Sequence, residues 1–328
     1  MNRKQKKTLL LTLGLVVVLV ALLLGVRACS AHQEAQEAQE AEQQRLESQV
    51  PTASDTFETI TYDNGDVTLT FTHDEAGSWI WADDPEFPLD TSYLEDLSDL
   101  ITALDPMQTI TDGDTLESYG LDAPTGTITA TAEDGTETVL LLGKELSDGS
   151  YYLKTGDSDT VYVVSSELHE CISKGIYDMA VLEDIPALTE DRLKSLTISG
   201  AQNVTFTVTQ DDEDGAVWKS GDEDVTEQVE DLSSQLGVLS FTACIDYKPS
   251  DEAVSICGLD DPAAVLTATY LDDEGEEAQV TLTIGGETTD GTGRYARLND
   301  STTIYSIGSD AVSEILAVAQ SGLDGLSE

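Results

Sequence analysis

The sequence predicts an α+β protein: an N-terminal transmembrane helix and a helical stalk, followed by two tandem copies of a mostly antiparallel sheet unit with flanking helices. Three observations predict it. Nineteen uncharged residues, Thr8 to Val26, follow a basic N-terminus. The motif Tyr119-Gly-Leu-Asp-Ala-Pro124 returns as Cys257-Gly-Leu-Asp-Asp-Pro262, 138 residues later. Around both motifs run short stretches of alternating apolar and polar residues separated by acidic Gly turns, the two-residue period of strands.

Residues 1–7 hold Arg3, Lys4, Lys6 and Lys7 and no acid. The apolar run that follows, read as a helix over residues 8–26, spans about 28 Å at about 1.5 Å per residue, close to the hydrocarbon core of a bilayer. A basic flank is retained in the cytoplasm, so residues 1–7 are expected inside, the chain is expected to contact lipid through residues 8–26, and everything after Arg27 is expected outside the cell membrane. All 64 acids lie beyond Arg27 with only 10 of the 15 basic residues, a net charge of −54 there against −49 for the chain. Ala28-Cys29 leaves open a cleaved lipoprotein, and signal-peptide cleavage a secreted protein. Arg27 sits where a lipoprotein site needs a small or apolar residue, and a signal-peptide core is shorter, about 7–15 residues, so an uncleaved single-pass anchor is the expectation.

Residues 27–56 form the stalk and linker. The tract from Ala31 to Gln49 repeats Gln-Glu-Ala every 3 residues, whereas a helix turns every 3.6, so its alanines drift around the surface and no coiled-coil seam forms. A solvated helix ending near Pro51 is expected.

The repeat sets the rest. Val67-Thr-Leu-Thr-Phe71 matches Val204-Thr-Phe-Thr-Val208 and Trp81 matches Trp218, both at an offset of 137, and Leu141-Leu-Gly143 matches Thr283-Ile-Gly285 at 142. Val161-Tyr162 matches Ile304-Tyr305 at 143. Five anchors in one order at a slowly drifting offset mark a duplication, with repeat domains at 57–178 and 195–320. In the first, strands Ile60–Tyr62 and Val67–Thr72 flank the hairpin pair Asn64-Gly65, and Trp79–Trp81 follows. Leu94, Leu97, Leu100, Ile101 and Leu104 recur at helical spacing within Leu89–Leu104, with Asp90 and Thr91 as caps. A strand at Gln108–Ile110, a helical turn at Asp114–Ser118 and four strands near 125–132, 137–142, 150–155 and 160–164 come next, and a short helix from Ser166 to Ile172 closes the unit. The second copy is expected to repeat this, with Val225–Leu239 as its long helix and Ala311–Ala319 as its last.

In the shared motif, Gly120 and Gly258 suit the positive φ that ends a helical turn, Leu121 and Leu259 suit the core, and Pro124 and Pro262 suit a strand start where no ladder N–H is needed. Turn chemistry outweighs a ligand role for Asp122, Asp260 and Asp261. The Trp strand, the Tyr-Gly-Leu-Asp-x-Pro turn, Leu-Leu-Gly143, Tyr151-Tyr152-Leu-Lys154 and Val161-Tyr162 resemble the bacterial family called domain of unknown function 4340. The likeness is good over 79–172 and weaker in the second copy, where Cys257 replaces the Tyr and Arg294-Tyr295 the Tyr pair. The resemblance implies a membrane-anchored extracytoplasmic protein, some members accompanying ABC-transporter components of the gliding-motility type. It brings no catalytic residue.

The acidity excludes a nucleic-acid binder, which needs a basic surface. His32, His73 and His169 are the only histidines; His169-Glu-Cys171 lacks the second His of a zincin helix. No Gly-x-Ser-x-Gly elbow, phosphate loop or Cys-x-x-Cys is present, and Gly291-Thr-Gly293-Arg leads into a strand rather than the helix a dinucleotide fold requires. Cys244 and Cys257, 13 apart, are either a structural disulfide or two buried thiols. The clusters Asp112-Gly-Asp114, Asp211-Asp-Glu-Asp-Gly215 and Asp272-Asp-Glu-Gly275 lack the EF-hand spacing and read as hairpin tips. Trp79, Trp81 and Trp218 read as strand core rather than recognition aromatics. No catalytic, cofactor-binding or metal residue is therefore assigned and no cofactor is expected. The expected function is a non-enzymatic interaction or scaffold protein with a protein partner in the membrane or envelope, accessory to an ABC-type transporter. The alternatives are a cell-envelope hydrolase using paired carboxylates, or cation or small-ligand binding between the two repeats.

Overall fold

The computed structural model describes residues 49–111, 113–156, 158–211 and 215–326. The expected basic tail 1–7, the expected anchor 8–26 and the expected stalk up to residue 48 lie outside the described residues, with Cys29, His32, Asp112 and residues 212–214. Among the described residues no helix is long and apolar enough to cross a membrane.

The described chain is mostly β: two antiparallel sheets with few helices. The first sheet holds β1 (Thr59–Asp63), β2 (Thr68–His73), β3 (Trp79–Trp81), β4 (Gln108–Ile110), β5 (Gly126–Thr131), β6 (Glu137–Glu145), β7 (Tyr151–Thr155) and β8 (Val161–Val164). Its eight strands lie in the order β3-β2-β1-β5-β6-β7-β8-β4. The second holds β9 (Leu193–Ser199), β10 (Asn203–Asp211), β11 (Gly215–Ser220), β12 (Glu223–Asp224), β13 (Phe241–Asp246), β14 (Ala264–Leu271), β15 (Glu277–Glu287), β16 (Gly293–Leu298) and β17 (Ile304–Gly308). Its order is β12-β11-β10-β9-β14-β15-β16-β17-β13. With β12 set aside, the second order is the first with every strand replaced by its repeat counterpart.

Among the described residues two compact units form, one from residues 49–68 with Glu95–Ile172, the other from Leu69–Leu94 with residues 173–326. In the first unit β1 and β5 pair from Thr59↔Thr131 to Asp63↔Thr127. Alternation sends Ile60, Tyr62, Ile128 and Ala130 into the core and the threonines between them outward. The chain enters this unit at Val50, which is buried and donates its N–H to the Leu104 carbonyl at 2.9 Å. Residues 49–56 carry no helix.

In the second unit Leu196, Ile198, Phe206, Trp218, Leu266 and Leu282 line one face of the sheet. Helices Glu230–Leu236 and Ser313–Ser321 cover that face with Leu232, Leu236, Ile315 and Val318. Trp218 is fully buried and meets Phe206 edge to face at 5.9 Å.

The helices are shorter than periodicity suggests, and local hydrogen bonding explains why. The first runs Ser92–Thr102 rather than Leu89–Leu104, because Leu89 bridges Ala180 in extended form and the Asp90 N–H donates to Met179. In the second copy the helix is Glu230–Leu236 rather than Val225–Leu239. Thr226 takes the Trp218 N–H on its hydroxyl and donates that hydroxyl to Asp224, holding 225–229 in a turn. Short polar side chains compete with a helix in this way.

Candidate functional site

The two copies of the repeated motif are built alike, each within its own unit. Gly120 ends helix Leu116–Tyr119 in the left-handed region at φ 69°, and Gly258 ends helix Asp251–Ile256 and its cap at φ 67°. Leu121 and Leu259 are buried. The turn lies against the glycine of the neighbouring strand: a side chain on Gly143 would overlap the Tyr119 carbonyl, and one on Gly285 the Cys257 carbonyl. In the second copy Gly286 N–H also donates to that carbonyl at 2.8 Å. Asp122, Asp260 and Asp261 point into solvent. Their place is the rim of a turn, and no group of His, Cys, Asp and Glu able to hold a metal forms among the described residues.

Several aspartates close their own loops. Asp272 takes the N–H groups of Glu274 and Glu276 at 2.9 Å each, and Gly275 closes that hairpin at φ 79°. Asp74, Asp134 and Asp148 serve their hairpins the same way. Asp290 accepts the hydroxyls of Thr288 and Thr292 and the Thr292 N–H, which together pull its pKa down to about 2. Asp63, Asp74, Asp134, Asp148 and Asp224 are lowered by the same kind of contact. Of the Asp211 cluster only Asp211 and Gly215 are described, and they pair across the β10–β11 hairpin.

Cys244 and Cys257 are thiols, not a disulfide, on opposite faces of one sheet. Cys244 on β13 packs in the main core of the second unit, whereas Cys257 packs with Leu259, Ile304 and Ile245 in a separate cluster. Burial, then the Asp246 charge, pushes the Cys244 thiol up to about 11 and raises Cys257 as well. Cys171, the sequence neighbour of His169, is half-buried. His169 stacks on Tyr151 at 4.5 Å, and the His73 ring lies tilted against Trp79 at 3.9 Å.

Two places in the second unit were not legible from the sequence. Phe87, buried, sits among Trp81 at 5.6 Å, Tyr247 at 5.3 Å and Tyr177 at 6.2 Å. The Tyr247 hydroxyl donates to the Glu86 carbonyl at 2.7 Å, and Lys248 Nζ lies 2.6 Å from Asp84 and 3.4 Å from Glu86. The Lys248 hydrogen bond holds the Asp84 carboxyl below its usual range. Trp79 and Trp218 are core and Trp81 is half-buried, its indole N–H enclosed and without a partner among the described residues.

The other place is an open cleft of about 700 Å³ whose rim includes Glu190, Asp191, Glu230, Ser233 and Val238. One Glu190 oxygen accepts both the Trp218 indole N–H at 3.3 Å and the Ser233 hydroxyl at 2.8 Å. A Thr189 hydroxyl lowers Asp191. A general acid for glycoside cleavage requires the opposite shift.

Against known proteins, a family model described as Domain of unknown function (DUF4340) matches residues 79–262 and 224–317. No curated protein and no solved structure matches the chain.

Proposed function

The chain belongs to the DUF4340 family, and from that premise we propose that it is a non-enzymatic interaction protein, anchored in the membrane by residues 8–26 and displaying both sheets outside the cell. Its partner is a membrane or envelope protein, and the resemblance noted in the sequence makes an ABC-type transporter component the leading candidate. The observation that carries the non-enzymatic reading is the use made of the acids. Carboxylates supply loop closure in hairpin after hairpin, as at Asp74, Asp148, Asp272 and Asp290, and the shifted ones are shifted down. That is the chemistry of rigid turns on an acidic surface rather than of a proton donor.

The test is affinity capture of the full-length chain from lightly crosslinked native membranes, with partners identified by mass spectrometry. A transporter permease or ATPase recovered in fixed proportion is the expected result. Recovery of only abundant membrane proteins would count against the reading and move attention to hydrolase assays on variants of the Glu190 cleft.

A further inference from the structure

We propose that β4, the last strand of the first sheet, accepts an extended cationic segment of a protein partner as a ninth strand. The inference rests on the protein-partner reading above and assigns that partner a docking edge. The two sheets have four edge strands among the described residues, β3, β4, β12 and β13. Three of them are protected by charge, by cover or by bulges, the means that keep exposed edges from pairing. β12 is two residues long and both are acids. β3 ends in Trp81, against which Phe87 packs. β13, the counterpart of β4, breaks register on β17 at two places. The turn Ile176–Met179 also lies along it, and the Tyr177 hydroxyl donates to Asp246 at 3.4 Å. β4 differs from all three. Its register on β8 is unbroken, Gln108↔Val163, Thr109↔Tyr162 and Ile110↔Val161, and the Met107 N–H extends the pairing to the Val163 carbonyl at 2.7 Å. Residues 106–111 carry no charge, and Gln108 and Thr109 are exposed. No described strand or helix lies along the far side.

The surroundings of the edge select its occupant. Met107 is 66% exposed at the start of β4, and Leu116 is 40% exposed in the helix that follows it. Tyr119 of that helix reaches back, so that its hydroxyl and the Ile110 side chain crowd the same space at Gly113. The charge is one-sided. Residues 49–68 and 95–172, which build this unit, hold 21 acids against Lys144, Lys154 and His169. Lys144 lies three strands away at the end of β6, beside Gly120. Lys154, two strands away, is buried with its Nζ on the Gly156 carbonyl, and His169 stacks on Tyr151. β4 and β8 themselves carry no cation, and Asp114 and Glu117 stand exposed just beyond β4. A short edge offers few main-chain hydrogen bonds, so affinity depends on what the incoming strand carries. Apolar side chains suit Met107, Ile110 and Leu116, and cations suit Asp114 and Glu117. A second copy would bring its own −49 charge to this edge and is repelled.

The test uses the full chain in a non-ionic detergent, with a fluorescein-labelled peptide of about eight alternating Lys and Val residues as probe. Fluorescence anisotropy should show saturable binding that weakens about tenfold between about 50 and 300 mM salt. The same peptide methylated on every backbone nitrogen keeps its charge but donates nothing to a strand edge, and should bind about tenfold more weakly. Met107→Lys together with Gln108→Lys puts cations on the edge and should weaken binding about tenfold at an unchanged melting temperature. Val238→Lys together with Ile256→Lys adds the same charge at positions 72% and 75% exposed, and should change binding by no more than about twofold. Absence of saturable binding, equal binding of the methylated peptide, or equal loss in both double variants overturns the proposal. A dimer of the free chain in sedimentation that Met107→Lys with Gln108→Lys abolishes would overturn it in favour of a second copy. The peptide assay needs no membrane partner, so its failure beside successful capture would place the partner elsewhere on the chain. Peptide binding beside failed capture would keep the edge and refute the transporter.

Discussion

Gly285 lies directly under the carbonyl of Cys257, so close that even a methyl group on it would overlap that oxygen. Gly143 stands in the same relation to Tyr119. Two sequence motifs that read as separate, the Gly-Leu-Asp-x-Pro turn and the strand ending in glycine, are therefore the two halves of one contact. Gly143→Ala and Gly285→Ala should each destabilise by about 1–3 kcal/mol or more, the cost of overpacking against backbone that cannot step aside. Gly149→Ala, where positive φ meets open space, should cost about 1 kcal/mol. Urea unfolding followed by circular dichroism separates these cases, and an unchanged midpoint for Gly285→Ala would refute the contact.

Phe87 and Lys248 join the same pair of segments by different means, so their variants should differ in size. Phe87→Ala removes a buried ring from among three aromatics and is expected to cost about 3–5 kcal/mol. Lys248→Ala breaks ion pairs whose lysine is 53% exposed, where solvent screening leaves only a small loss. Thermal unfolding of both variants at several salt concentrations checks this, with salt sensitivity confined to the lysine.

Acid should weaken the fold through its hairpin tips. Asp290 titrates at about 2 in the folded chain and near about 3.9 when unfolded. The unfolded state therefore binds the proton first, and this contribution is present above about pH 4 and disappears as pH falls toward about 2. Asp63, Asp74, Asp134 and Asp148, lowered in the same way, add to it. Relief of the −49 charge works in the opposite direction, so a direct reading is the carboxyl carbon shift of Asp290 by NMR. Thr288→Val should move its midpoint up; an unmoved midpoint would show that the hydroxyl is not the cause.

Cys244 and Cys257 should stay reduced under oxidising conditions and unreactive toward alkylating reagents at pH 8 until the chain unfolds. Burial suppresses the thiolate in both, and only the thiolate reacts. Half-buried Cys171 should label earlier. Peptide mapping after timed iodoacetamide treatment reads this directly, and a Cys244–Cys257 crosslinked peptide would contradict the placement on opposite faces.

Much of the fold was legible because it is written in local rules. Asn64-Gly65 and Asp272 to Gly275 announced their hairpins, and Gly120 and Gly258 announced their left-handed caps. What escaped depended on partners distant in sequence. Thr226 shortens a helix by bonding to Trp218 and Asp224. Phe87 lies in the first copy of the repeat yet packs on Tyr247 of the second. Glu190 looks like one acid among 64 until Trp218 and Ser233 are seen converging on it. The disulfide question turned on strand parity, since Cys244 and Ile245 face opposite ways and Cys257 sides with Ile245.

The shared strand order carries a hazard during synthesis. Both sheets are closed by a pairing between strands far apart in the chain, Ile60↔Ala130 in one and Ile198↔Leu266 in the other. Such long closures are slow. While they are open, a late strand of one copy meets an early strand of the other with nearly the same hydrogen-bonding template, the circumstance in which tandem repeats exchange strands. The divergence between the copies along their strands, Tyr151 against Arg294 or Leu141 against Thr283, then has a use. It gives each emerging strand a reason to prefer its own sheet.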